Sequence, residues 1–149
     1  MKKSPVHCMI HNGALLITYL VILFSSAAMS GCDYFFPPLS GDKISPAEAE
    51  KFLTKNRNNE DIKIIDLNTR REFDSLHIEG AMNLDFSMPD FPQMVQKLDK
   101  DKRYILVDMN GKKSSMAFQL FKEENFSKVH WIEGGLTEWQ KNGYKTYSK

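Results

Sequence analysis

Ile105-Leu106-Val107-Asp108-Met109-Asn110-Gly111-Lys112-Lys113-Ser114-Ser115-Met116 joins three unlike patterns in one short stretch. Three branched apolar residues in a row fit a strand buried on both faces. Asp108, Asn110 and Gly111 are turn-forming residues. From Lys113 onward the spacing of Met116, Ala117, Leu120 and Phe121 is that of one helix face turned inward. A buried strand passing through a short polar loop into a helix is the building unit of an α/β sheet. In such sheets ligands bind where strands end. The first residue of this loop is Asp108, so it is either a catalytic group or the replacement of one.

The same alternation extends in both directions. Ser45, Pro46 and Glu48 open a helix with a capping serine, a proline suited to the first turn and a reciprocal glutamate. Residues 62–67, IKIIDL, read as a short buried strand. Thr69 and Glu72 offer a second capping box for a short helix to about residue 76. Residues 81–84 read as a strand, and 90–98 as a helix with Phe91, Met94, Val95 and Leu98 on one face. The strand 104–107 and the helix 113–125 follow, then a strand 129–132 and a helix 136–142 with Gly143 suited to its C-terminal end. Strands and helices alternating at this spacing predict an α/β domain, a mainly parallel central sheet flanked by helices on both faces.

Composition narrows the function. The chain has 149 residues with 42% hydrophobic and 26% charged residues, ordinary for one globular domain. A formal net charge of +1, without basic runs interleaved with aromatics, gives no footprint for nucleic acid. The first residues carry a different signal. Lys2 and Lys3 precede an apolar stretch, residues 14–29, that ends in Met29-Ser30-Gly31-Cys32. A basic start, an apolar centre and small residues before a cleavage point make a secretory signal. MSGC resembles the lipobox of bacterial lipoproteins, which implies cleavage before Cys32 and lipid on its sulfur. Asp33 resembles the inner-membrane retention signal of Gram-negative lipoproteins. The competing reading is an uncleaved anchor, but the stretch is shorter than the roughly 20 residues that span a bilayer and contains Thr18, Ser25 and Ser26. The expected organisation is a signal peptide (1–31), a lipid-bearing Cys32 with a tether (32–43), and one domain (44–149). The expected location is a membrane surface facing the periplasm or exterior. Cys8 leaves with the signal and Cys32 carries lipid, so residues 33–149 hold no thiol, disulfide or cysteine metal site.

Three segments of the domain form a family pattern. Ile65-Asp66-Leu67, then Glu72-Phe73, then His77-Ile78-Glu79-Gly80-Ala81 resemble the rhodanese signature. Residues 129–139, VHWIEGGLTEW, with Gly143, resemble the closing segment of that family. Residues 105–114 align without a gap onto its strand, active-site loop and helix start. The resemblance covers residues 44–145 and implies a rhodanese-like fold. It also answers the question of Asp108. Active rhodaneses begin this loop with cysteine, in a pattern like Cys-x-x-Gly-x-Arg-Ser. Here the loop reads Asp108, Met109, Asn110, Gly111, Lys112, Lys113, Ser114, so the glycine and serine are kept, Asp108 stands for the cysteine and Lys113 for the arginine.

Sulfur transfer needs a thiolate that attacks a sulfane sulfur and carries it as a persulfide. A carboxylate cannot hold that sulfur. An aspartyl nucleophile working with magnesium would need an acid two residues on, where Asn110 stands. The resemblance therefore implies a binding or regulatory module without sulfurtransferase activity, with no cofactor and no metal, acting on an unidentified protein partner. The alternative is a sulfurtransferase that works with a thiol supplied by a partner. Asp108 is expected to serve as a permanent anion inside a loop whose backbone N–H groups point inward. Asp66 is expected to hydrogen-bond nearby loops, His77 to be structural, and Trp131 and Trp139 to belong to the core. Lys112 and Lys113 oppose the helix dipole, which suggests pairing with Asp108 or with a partner's carboxylate.

Overall fold

The computed structural model describes residue 39 and residues 42–149. The segment expected to be a signal, Cys32 and most of the expected tether lie outside the described residues. In chain order the elements are β1 (Lys43–Ile44), α1 (Pro46–Lys55), β2 (Ile62–Asp66), α2 (Arg70–Ser75), β3 (Met82–Asn83), α3 (Phe91–Gln96), β4 (Arg103–Val107), α4 (Lys112–Glu123), β5 (Val129–Ile132) and α5 (Gly135–Lys141). The strands form one sheet in the order β1-β5-β4-β2-β3, and every pairing is parallel. This is the α/β architecture expected from the alternation.

The central strand β4 shows why the sheet is covered on both sides. Tyr104, Ile105, Leu106 and Val107 are all buried. Their side chains alternate between faces, as strand geometry requires. Tyr104 and Leu106 join Val95 of α3 and Ala117, Phe118 and Phe121 of α4 in one core layer. Ile105 and Val107 join Ala49 of α1 and Leu136 and Trp139 of α5 in the other. Each buried Val, Leu, Ile or Phe among them contributes roughly 1.5–3 kcal/mol of burial.

Both expected capping boxes form. Ser45 Oγ accepts from Glu48 N while Glu48 accepts from Ser45 N, and Thr69 and Glu72 do the same. Gly143, at φ +76, donates its N–H to Gln140 O and closes α5. Three details differ from expectation. Lys43 and Ile44 pair with Trp131 and Ile132, which makes β1 an edge strand too short to be read from periodicity. The strand expected at 81–84 keeps only Met82 and Asn83. The inward face of α4 is rotated from the one expected: Met116 is 61% exposed, Leu120 is only half-buried, and Phe118 is buried. Ser114, Ala117, Phe118 and Phe121 form the buried row, and a serine at its head hid this register from a reading by apolar residues alone.

Candidate functional site

Connections out of β2 and β4 run to opposite edges of the sheet, so the carboxyl ends of these neighbouring strands are the switch point where α/β sheets place their ligands. Asp108 stands there, directly after β4, and is 1% exposed. The loop from Asp108 to Ser114 closes around Asp108's own carboxylate. Oδ2 accepts from the backbone N–H of Asn110 at 3.4 Å and of Lys113 at 3.2 Å. Oδ1 accepts from the N–H of Ser114 at 3.1 Å and from the Ser114 hydroxyl. An ionised carboxylate offers only acceptor sites, about four of them, and here four donors meet it. The Lys113 and Ser114 amides belong to the first turn of α4, whose N–H groups have no partner within the helix.

Gly111 makes this curl possible. It adopts φ +85 at the N-cap of α4, and a Cβ there would stand 3.0 Å from Gly134 N. Gly135 is pressed closer still. A Cβ on it would lie 2.1 Å from Asp108 O and 2.8 Å from the amide nitrogens of Asn110 and Gly111. The start of α5 thus backs the loop directly, and its first amides reach across. Leu136 N–H donates to Asp108 O at 2.8 Å, and Thr137 donates to Met109 O through its N–H at 2.9 Å and its hydroxyl at 2.7 Å. The Gly134–Gly135 pair is therefore a brace for the loop, with Trp131 half-buried beside Gly111.

The third side comes from the end of β2. Asn68 Oδ1 accepts from Met109 N–H at 3.1 Å, and Asp66 accepts from Asn68 N–H at 2.9 Å. Asp66 and Asn68 are both buried, and Asp66 Oδ2 and Asn68 Nδ2 lack hydrogen-bond partners. Burial pushes the Asp66 carboxyl up to about 6. The backbone N–H bond from Asn68, its nearby side-chain amide and the nearby His77 pull against that rise, while the Asp108 carboxylate adds to it. Asp66 thus bonds the loop that follows it, as expected, and reaches the Asp108 loop only through Asn68. Asn68 was not foreseen, because nothing in the sequence connects it to Met109.

His77 is structural, as expected. It is buried, its Nδ1 lies 2.8 Å from Phe73 O, and its ring stacks on Phe73 at 4.3 Å. Trp139 is core, with its indole N–H on Lys145 O. Of the two pairings expected for Lys113, the one with Asp108 is corrected. Its ammonium lies 3.8 Å from Glu72 on α2, while only its backbone amide reaches Asp108. The Asp108 oxygens are already covered by donors inside the loop, which leaves the lysine side chain to the rim. Lys112 and Asn110 are exposed at that rim, and Met109 and Lys113 are half-buried. Among the described residues no cluster of His, Cys, Asp or Glu could hold a metal ion. A separate cleft of about 340 Å³, lined by Leu53, Ile62, Ile78 and Trp139 among others, includes none of the loop residues.

Comparison with known proteins bears on the fold and the family. Residues 48–142 match the model of the rhodanese-like domain. The chain is 29% identical over 101 residues to a probable adenylyltransferase/sulfurtransferase, MoeZ, of Mycobacterium tuberculosis, a match that covers 68% of this chain but 25% of that protein. It is 28% identical over 78 residues to the thiosulfate sulfurtransferase GlpE of Shewanella oneidensis, covering 52% of this chain and 75% of that one. Among solved structures, a rhodanese-related protein of Thermoplasma volcanium superposes with a TM-score of 0.61 at 20% identity, over 73% of this chain and all of that one. A rhodanese-like domain from Anabaena gives 0.62 at 20% identity, over 73% and 80%. The chain belongs to the rhodanese-like domain family.

Proposed function

We propose that this chain is a lipid-anchored, extracytoplasmic rhodanese-like domain that transfers no sulfur and works as a binding or regulatory module. The observation that supports this most directly is the filled cradle: the Asp108 carboxylate already uses four loop donors. In this reading Asp108 stands where the family keeps its nucleophilic cysteine. A sulfurtransferase needs those donors for the sulfur it carries and for the anion it attacks. Here an internal anion holds them, and residues 33–149 contain no thiol to form a persulfide. What remains for a partner is the rim, with Asn110 and Lys112 exposed.

The test is sulfur transfer to cyanide from thiosulfate or 3-mercaptopyruvate. Wild type and Asp108→Ala are both expected at the no-enzyme background, and thiocyanate formed by wild type above that level would overturn the proposal. A second readout examines the cradle. Asp108→Ala leaves the donors without an acceptor, so thiosulfate should raise its melting temperature and leave that of wild type unchanged. Anchoring is tested separately. A palmitate analogue fed to expressing cells should label wild type and not Cys32→Ala, and equal labelling of the two would refute the anchor.

A further inference from the structure

Two Asn–Gly pairs lie among the described residues, Asn110–Gly111 and Asn142–Gly143. Such pairs are chemically vulnerable because glycine has no Cβ to shield its amide nitrogen from the preceding side-chain carbonyl. The fold treats the two differently. At the end of α5, Gly143 N–H donates to Gln140 O at 2.9 Å and Asn142 Nδ2 donates to Glu138 O at 2.8 Å. Both the attacking nitrogen and the leaving amide are therefore tied to the helix. In the Asp108 loop neither is. Gly111 is buried under Gly135, but its N–H donates to nothing among the described residues. Asn110 is exposed, and its side chain is held only through Oδ1, which accepts from Lys112 N–H at 3.1 Å. That bond closes a ring containing Gly111 N, polarises the side-chain carbonyl and leaves Nδ2 without a hydrogen bond among the described residues.

We propose that Asn110 is a site of spontaneous deamidation, at which the Gly111 amide attacks the Asn110 side chain and the loop gains a second carboxylate near Asp108. Gly111 N gives its proton to solvent base and forms a bond to Cγ. The Cγ–Nδ2 bond breaks and the amide leaves as ammonia. Water then opens the five-membered imide at either carbonyl, giving aspartate or isoaspartate with no change of oxidation state. Opening to isoaspartate lengthens the main chain by one methylene between Asp108 and Lys113, inside the segment whose amides grip the Asp108 carboxylate. Either product places a negative charge beside Lys112 on the rim. The site acts as a slow, one-way change of the surface a partner would read, and it stands whether or not the domain transfers sulfur.

The experiment ages the full chain, folded, in mildly alkaline oxygen-18 water, with a parallel sample in urea. Peptide mapping by mass spectrometry follows Asn110–Gly111 and Asn142–Gly143 in the same digest. In urea both should convert at similar rates. In the folded protein Asn110 should convert faster, by about 5-fold for each hydrogen bond that must open at Asn142 before attack. Asn110→Gln should remove the loop signal and leave the Asn142 signal unchanged. Equal folded rates at the two pairs, a faster Asn142, or an Asn110 that converts in urea but not in the fold would each overturn the proposal.

Discussion

Asp66 and Asp108 are two buried carboxyl groups handled in opposite ways. Asp108 is met by four donors, whereas Asp66 keeps one oxygen without a hydrogen-bond partner. The groups facing Asp66 are Asn68 from its own loop, His77 from beyond α2, and Asp108 from the end of β4. With its folded pKa raised to about 6 from 3.8, Asp66 ionises in the unfolded chain before it ionises in the fold. The folded state therefore holds more protons between these values, and stability falls as pH rises through that window and stays lower above it. The shift corresponds to roughly 2–3 kcal/mol at neutral pH. Asp66→Asn keeps an oxygen for Asn68 N–H and discards the charge. Its urea midpoint should exceed that of wild type at pH above about 7 and approach it below about 4, the reference range of a free carboxyl. A midpoint below wild type at neutral pH would mean that the charged form is itself required by the fold. At this scale the sequence was legible where a residue's role is local. Asp66 as a bonding group, His77 as a structural group and Asp108 as the residue on which the loop's donors converge follow from residue type beside a recognisable loop. Asn68 and the coupling of the two carboxyl groups were hidden, because they depend on β2 lying next to β4.

The elements owe their positions to local chemistry that the chain states openly, and their rotation to contacts it does not. Two capping boxes fix the starts of α1 and α2. The face of α4 is set instead by Ser114, whose hydroxyl is drawn inward by Asp108, so that Ala117, Phe118 and Phe121 follow it and Met116 turns out. No apolar pattern carries that information. The Gly134–Gly135 pair belongs to the same class, since its purpose appears only where α5 meets the loop after β4. Gly135→Ala adds a Cβ at 2.1 Å from Asp108 O and places alanine at φ +58. Left-handed strain of about 1–2 kcal/mol then adds to overpacking of about 1–3 kcal/mol. Gly143→Ala, at φ +76 with nothing within 4 Å of the new Cβ, should cost only the strain. Urea unfolding of the two variants separates these contributions. Equal losses would show that α5 does not brace the loop.

At the scale of the whole domain, the family pattern ends before the structure does. The match stops at residue 142, yet the last residues return across the molecule to the C-terminal end of α2. Tyr144 packs edge-on against Trp139 at 5.2 Å, and the Trp139 indole donates to Lys145 O. Tyr147 and His77 exchange both backbone hydrogen bonds, and Lys149 N–H donates to Asp74 O. This tail ties α5 to α2, and α2 carries Glu72, the ion-pair partner of Lys113 at the rim. The segment is thus part of what holds the candidate site, although its sequence carries no motif and no periodicity from which that role could be read. Deleting residues 144–149 removes an acceptor from a buried indole, a two-way backbone bridge and an aromatic contact. At about 1 kcal/mol for each hydrogen bond, the loss is on the order of 3–5 kcal/mol. A fall of that size lowers the melting temperature of a domain of this length by roughly 10 °C or more. Because Trp139 loses its cover, its fluorescence should also shift to the red in the native baseline, whereas removing Lys149 alone should leave that baseline in place. A deletion variant that melts with wild type and keeps its emission maximum would show that α2 is held by its own capping box and the core, with the tail only resting on the surface.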